Sequence, residues 1–203
     1  MYTPKYYKNE DLDEILAFLK ANSFGILVSK TEKLLATHIP IELIQKEDKK
    51  WYLQGHVAKG NPQWNDFKNE EVLAIFNGPH SYVSSSWYDF EEVPTWNYIA
   101  VHVYGKIRTT TEDELLTMLH ALVDKYEADS KDPIKLENLS PKTIRQIRGI
   151  VGFEIEITDI QATYKLSQSH SDHNYHNVVD ELAKVPNEGS KEIAQIMKKK
   201  RSK

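Results

Sequence analysis

The sequence predicts an α+β fold, an antiparallel sheet or barrel flanked by helices, and three observations predict it. Extended and helical patterns do not alternate along the chain, which disfavours a doubly wound parallel sheet. Asn97–Thr110 reads as one long strand, with Ile99, Val101, Val103 and Gly105 on one side and His102 and Tyr104 on the other. Pro40 interrupts an extended run, and a proline there marks an edge, a bulge or a break.

The elements follow in order. A helix is expected from Asn9 or Glu10 to Ala21, where Leu12, Ile15, Leu16 and Leu19 recur at helical spacing and Asp11, Asp13 and Glu14 favour its positive end. Phe24–Ser29, Leu34–Ile44 and Trp51–His56 read as strands, separated by turns at Lys30–Lys33 and Lys46–Lys50. Pro62 suits a first helical position with Asn61 as its cap. Glu71–Phe76 reads as a strand ended by Asn77-Gly78-Pro79. Glu112–Tyr126 is an amphipathic helix with Leu115, Leu116, Leu119, Leu122 and Val123 as its stripe. Ser140-Pro141 opens a short helix ending near Gly149, and Val151–Leu166 is the last long strand, with Phe153, Ile155, Ile157 and Ile160 as buried candidates. From Ser171 onward one or two helices are expected, joined at Pro186–Gly189, before a basic, frayed tail at Lys198–Lys203.

Composition narrows the function classes. A chain of 203 residues with no cysteine excludes disulfides, thiolate catalysis, iron–sulfur clusters and cysteine zinc sites. A net charge of −4 is a poor match to a general nucleic-acid binder. No apolar run approaches the roughly 20 residues a membrane helix needs, and the N-terminus has no signal-peptide pattern, so a cytoplasmic protein without membrane contact is expected. Glycine motifs of phosphate loops and dinucleotide folds are absent, as is the nucleophile elbow.

Three stretches carry candidate chemistry. His170, His173 and His176 lie three apart, a spacing that lets neighbours share a helix face, but a capped, solvated helix start is the simpler reading and no metal is assigned. In Gly55-His-Val-Ala-Lys-Gly-Asn-Pro62 a strand ends, the backbone turns and a helix begins. Backbone N–H groups there favour an anion and Lys59 adds a full charge, although an ordinary capped turn uses the same residues. The aromatics of Tyr82–Tyr88 and Val93–Tyr98 suit a planar ring, or equally a core or dimer-interface cluster.

These segments carry a family resemblance. Met1-Tyr-Thr-Pro-Lys5, Leu35-Ala-Thr-His-Ile-Pro-Ile41, Gly55–Trp64, Ala74–Val83, Ser86-Trp-Tyr88, Val93-Pro-Thr-Trp-Asn-Tyr98, Val101-His-Val-Tyr-Gly105 and Lys165-Leu-Ser-Gln168 run in order through nearly the whole chain. Together they resemble the PaiB-type FMN-binding negative transcriptional regulators, also described as protease-synthase and sporulation regulators. Two departures are visible, at Ser84-Ser-Ser-Trp87 and at Ser169-His170. The resemblance implies an antiparallel split β-barrel of the flavin-reductase and pyridoxamine-phosphate-oxidase type over residues 1–168, with a helical C-terminal extension over 169–203. It implies FMN as cofactor and a homodimer with FMN at the subunit interface. It puts Thr37, His38 and Pro40 beside the flavin ring, has His56 and Asn61 share the phosphate with Lys59, and has Trp87, Trp96, Asn97 and Tyr98 enclose the ring.

The implied function is an FMN-binding negative regulator. Direct DNA contact has thin support: no helix-turn-helix is visible, Lys142, Arg145 and Arg148 could form a basic helix, and Lys198–Arg201 reads as a solvated end. The alternative is an FMN-dependent oxidoreductase using a nicotinamide or another small reductant, because flavin carries its own hydride chemistry and leaves no catalytic motif to find. A haem-handling split barrel is a third, weaker reading.

Overall fold

The computed structural model describes residues 1–30 and 32–201. Thr31, in the expected turn at Lys30–Lys33, and the last two residues of the basic tail lie outside the described residues. Among the described residues seven strands form one sheet: β1 (Lys8–Asn9), β2 (Phe24–Lys30), β3 (Leu34–Gln45), β4 (Trp51–Ala58), β5 (Lys68–Val83), β6 (Thr95–Thr109) and β7 (Ile150–Lys165). Their order is β1-β7-β4-β3-β2-β5-β6, and a further β7–β6 pairing closes β2 to β7 into a six-stranded antiparallel barrel. Closure removes the free edges that an open sheet must protect. The helices are α1 (Leu12–Ala21), α2 (Glu112–Glu127), α3 (Pro141–Ile144), α4 (Asp172–Lys184) and α5 (Glu188–Arg201). The expected α+β barrel with a helical C-terminus is what the chain forms. None of the described helices is long and apolar enough to cross a membrane.

The chain divides into two compact units. The first comprises Met1–Asn22, Phe76–His102 and Gln161–Lys203. Here β1 pairs antiparallel with the end of β7, Lys8 opposite Thr163, a strand too short for periodicity to announce. Asp11 caps α1 by accepting from the Glu14 N–H at 3.1 Å, so the helix begins at Leu12 rather than at Asn9. Ile15, Leu16 and Leu19 are buried as expected, whereas Leu12, in the first turn, is exposed. β5 does not end at Asn77-Gly78-Pro79 but runs through it to Val83. Gly78 is there for close approach: a Cβ would stand 2.7 Å from Cε2 of Phe18 on α1. Ser171 caps α4, whose Tyr175, Val178, Val179 and Leu182 are buried, as are Ile193, Ala194 and Met197 of α5. Tyr175 donates to the Met197 carbonyl at 2.8 Å, and Ser81 of β5 meets Ser190 of α5 at 2.8 Å.

The second unit comprises Ser23–Ile75 and Val103–Ile160. β2, β3 and β4 form a meander, with Ile41 opposite Gly55 and Leu43 opposite Leu53, and β4 continues onto β7 with Gly55 opposite Phe153. Leu27, Ile41, Leu53, Val57, Phe153 and Ile155 fill the interior. Ile157 and Ile160, expected to be buried, are half-buried, because the alternation that seats Phe153 and Ile155 inside lapses beyond Glu156. Helix α2 carries a capping box: Thr111 accepts from the Glu114 N–H while Glu114 accepts from the Thr111 N–H. Leu115 and Leu119 of its stripe pack with Leu136, Ile144, Ile147 and Ile150, whereas Leu116 is exposed. The helix expected from Ser140 is α3 followed by a 3-10 turn over Arg145–Gly149.

Candidate functional site

The segment that ends β4 is built from local rules. Asn61 accepts from the Gln63 N–H at 2.9 Å and so caps a 3-10 turn over Pro62–Asp66, with Pro62 at its first position as the sequence predicts. The turn carries Gln63 into the interior, where its amide donates to the Leu27 carbonyl at 3.1 Å and its oxygen accepts from the Thr37 hydroxyl at 2.6 Å. Asn61 in turn donates to Thr37 Oγ1 at 2.9 Å. Two expected site residues, Thr37 and Asn61, are thus held together, and fully buried Gln63 is the pivot that residue-type reasoning overlooked. Its signal was its place beside Asn61-Pro62 at a helix start, where a buried amide is useful only if it bonds backbone.

The other expected residues of this unit fall on different surfaces. Along β3, Ile39, Ile41 and Leu43 face inward with Thr37 in the same row, and His38 and Pro40 belong to the opposite, outer row. His38 is exposed, its ring 6.4 Å from that of Phe24. Pro40 does not break β3, because the next N–H, that of Ile41, bonds the Ser23 carbonyl at 2.7 Å. Its own carbonyl explains Gly55: a Cβ on Gly55 would stand 2.9 Å from that oxygen and 2.7 Å from Cζ of Phe153. Pro40 and His56 share a cavity of about 210 Å³ with Met118, Leu119 and Leu122 of α2. Burial holds the His56 imidazole below the usual histidine range, which favours its neutral form. Lys59 opens instead into a cavity of about 400 Å³ walled by Leu115, Ile144, Ile147 and Ile150, whose other charged residues are Arg148 and Glu112. The Lys59 N–H bonds the Gly149 carbonyl at 2.8 Å, which ties the end of β4 to the stretch that carries Arg148. The Lys59 ammonium has no ion-pair partner among the described residues. An unpaired ammonium with a guanidinium on the same cavity fits a phosphate monoester.

The aromatic set lies in the first unit. Trp96 is 52% exposed and packs its ring 6.1 Å from both His80 and Tyr82. Trp87 and Tyr98 are half-buried. Asn97 is fully buried, its amide donating to Ser167 Oγ at 3.0 Å. The three histidines take separate partners: His176 meets the Asp172 carbonyl at 2.7 Å, His173 lies 3.8 Å from Asp89, and His170 stacks on Tyr88 at 4.7 Å. Among the described residues no three metal-ligating side chains converge. Of the basic tail, Lys200 is paired with Glu14 and Arg201 with Asp172.

This barrel is the flavin-type split barrel. It superposes on the FAD- and haem-binding protein of Mycobacterium smegmatis with a TM-score of 0.60 at 13% identity, over 78% of this chain and 73% of that one. It superposes on the flavocytochrome Anf3 of Azotobacter vinelandii with a TM-score of 0.63 at 12% identity, over 86% of this chain and 78% of the other. At such identities the likeness speaks to the fold alone. Within that class, residues 1–159 match the family described as "Putative FMN-binding domain", and the chain belongs to this family. It is 46% identical, over 98% of both chains, to the protease synthase and sporulation protein PAI 2 of Bacillus subtilis.

Proposed function

We propose that this protein is an FMN-binding negative regulator of the PaiB type that works as a cytoplasmic homodimer. The observation that carries the reading is the family match across residues 1–159, which takes in β1 to β6 whole and β7 as far as Asp159. Residues 1–168 are the flavin domain and 169–203 its helical extension. Lys59 takes the FMN phosphate in the cavity it shares with Arg148, and Asn61 caps the turn that follows it. His56, kept neutral by burial, opens with Pro40 into a separate cavity and offers an N–H there. His38 and Pro40 attend the ring from the outer row of β3, and Thr37 from the inner row holds the Gln63–Asn61 turn that supports them. The exposed Trp96 ring, with Trp87 and Tyr98 half-buried near it in sequence, supports a dimer in which this region of one copy completes the surroundings of the flavin held by its partner, with buried Asn97 fixing the strand behind it. Regulation acts through the flavin or a partner protein more than through DNA phosphates, since two of the tail's cations are engaged by Glu14 and Asp172.

The test compares two ligands. FMN carries about −1.5 to −2 charges near neutral pH, by analogy with other phosphomonoesters. A charge-assisted hydrogen bond is worth roughly 1.5–3 kcal/mol, so Lys59→Ala is expected to weaken FMN binding about tenfold to a hundredfold. Riboflavin lacks the phosphate and should bind variant and wild type alike. Fluorescence titration of both ligands against both proteins decides it, and an equal loss for riboflavin overturns the phosphate assignment.

A further inference from the structure

We propose that the first unit holds a second small-molecule site, one that binds a free α-amino acid between Lys165 and Glu92. The site is a cavity of about 200 Å³. That is about seven water molecules' share of liquid volume, room for a metabolite of modest size. It uses none of the residues assigned above to the phosphate or the ring except Asn97, and the proposal does not rest on the FMN reading.

The walls are assembled with care. Lys165 closes β7 and places its ammonium at the Thr95 hydroxyl and 5.6 Å from the centre of the Tyr7 ring. Two residues on, Ser167 adopts a left-handed backbone with φ of 57°, a conformation that costs a non-glycine residue about 1 kcal/mol or more. Side chains hold it there. Buried Asn97 exchanges two hydrogen bonds with the Ser167 hydroxyl, at 3.0 and 3.2 Å, and the neighbouring Gln168 grips the Leu166 N–H and the Tyr164 carbonyl. His170 is tied back to the Ser167 carbonyl through its N–H and lays its ring on Tyr88.

Two features point to the ligand. Tyr88 is 9% exposed, and its buried hydroxyl makes no hydrogen bond of ordinary distance and angle; the Ser167 hydroxyl nearby spends its own bonds on Asn97. A buried donor left open costs about 1–3 kcal/mol, which a bound acceptor would recover. Second, a cation and an anion line the same cavity without forming an ion pair: Lys165 on one side, and Glu92, whose carboxylate accepts from the Val93 N–H at 2.9 Å. A simple carboxylate would satisfy Lys165 and Tyr88 but face Glu92 with like charge. A simple amine would do the reverse. A zwitterion answers both, its carboxylate on Lys165 and the Tyr88 hydroxyl and its ammonium on Glu92, with the Tyr7 and Tyr88 rings to cover a small side chain.

Isothermal titration calorimetry on the purified, FMN-loaded protein tests this with neutral L-amino acids, and with alanine against propionate and ethylamine, which each keep one of its charges. At least one amino acid should bind at millimolar concentration or below, with propionate and ethylamine at least about tenfold weaker than alanine. Lys165→Met and Glu92→Gln should each cost about tenfold or more, and Tyr88→Phe about threefold to tenfold. Glu92 is half-buried and its carboxylate bonds only the adjacent Val93 N–H, so Glu92→Gln is expected to keep the fold, which circular dichroism checks. Absence of binding by every amino acid, equal binding of propionate, indifference to the Glu92 and Lys165 variants, or displacement of FMN would each overturn the proposal.

Discussion

Glu154 and Tyr88 are both buried polar side chains on barrel-associated backbone, and the protein treats them in opposite ways. Glu154, 3% exposed, accepts from Lys46 at 2.7 Å, Gln54 at 2.8 Å and Arg108 at 2.8 Å, and Arg108 reaches on with two bonds to Glu114. Every charge in that cluster is answered by another part of the chain. The Tyr88 hydroxyl is buried and makes no hydrogen bond of ordinary distance and angle among the described residues. A charge satisfied from within is scaffold, because breaking it leaves an uncompensated ion. A polar atom left open on a cavity costs stability until something else arrives.

The largest effect should come from breaking the satisfied side. Arg108→Met removes one of the three anchors on Glu154 and two bonds to Glu114 while keeping the volume of the stem. A loss of about 2–3 kcal/mol is expected in urea denaturation, since the buried carboxylate keeps Lys46 and Gln54. A loss below about 0.5 kcal/mol would mean the cluster is a solvated surface pair of the ordinary weak kind.

Acid should probe the same cluster. The Arg108 hydrogen bonds, then the Thr111 N–H, hold the Glu114 carboxyl down to about 2 from its usual 4.5. Burial alone would raise the Glu154 carboxyl, but the bonds from Lys46, Gln54 and Arg108 outweigh it and hold it below the usual carboxylate range. Both groups therefore bind protons more readily when unfolded. Their contribution is fully present above the unfolded value and is lost as pH falls through the folded ones. The melting temperature should drop steeply between pH 4.5 and about 2, and Arg108→Met should flatten that slope. A parallel slope in the variant would assign the acid sensitivity to other carboxylates.

The same contrast explains what could be read in the amino-acid sequence. The cap of Asn61, the first-turn Pro62 and the alternation of β6 are local, and spacing within a few residues carries them. Asn77-Gly78-Pro79 misleads for a physical reason: its glycine makes room for Phe18, a residue far off in sequence, and it turns no chain. Thr37 and Asn61 were singled out by the family pattern, but the Gln63 amide that joins them becomes visible only when β2 and β3 are side by side. The stretches around the Tyr88 cavity stood out in the sequence one by one, but their meeting in one cavity did not. Tyr7, Tyr88 and Lys165 come from three distant stretches, and no periodicity links them.

The smallest effect should also be the most telling. Tyr88→Phe removes only the hydroxyl, and the ring keeps its packing on His170 and Phe90. For a hydrogen-bonded tyrosine such a change destabilises the fold by about 0.5–1.5 kcal/mol. Here the hydroxyl is desolvated without a hydrogen bond of ordinary geometry, so its removal should leave stability unchanged or raise it by about 0.5–1 kcal/mol in the protein without added amino acid. Urea denaturation measures this directly. With a saturating amino acid present the order should reverse, because wild type gains binding energy that the variant recovers only in part. Destabilisation in the unliganded protein would show that the hydroxyl is already satisfied, and that the contrast with Glu154 is one of degree.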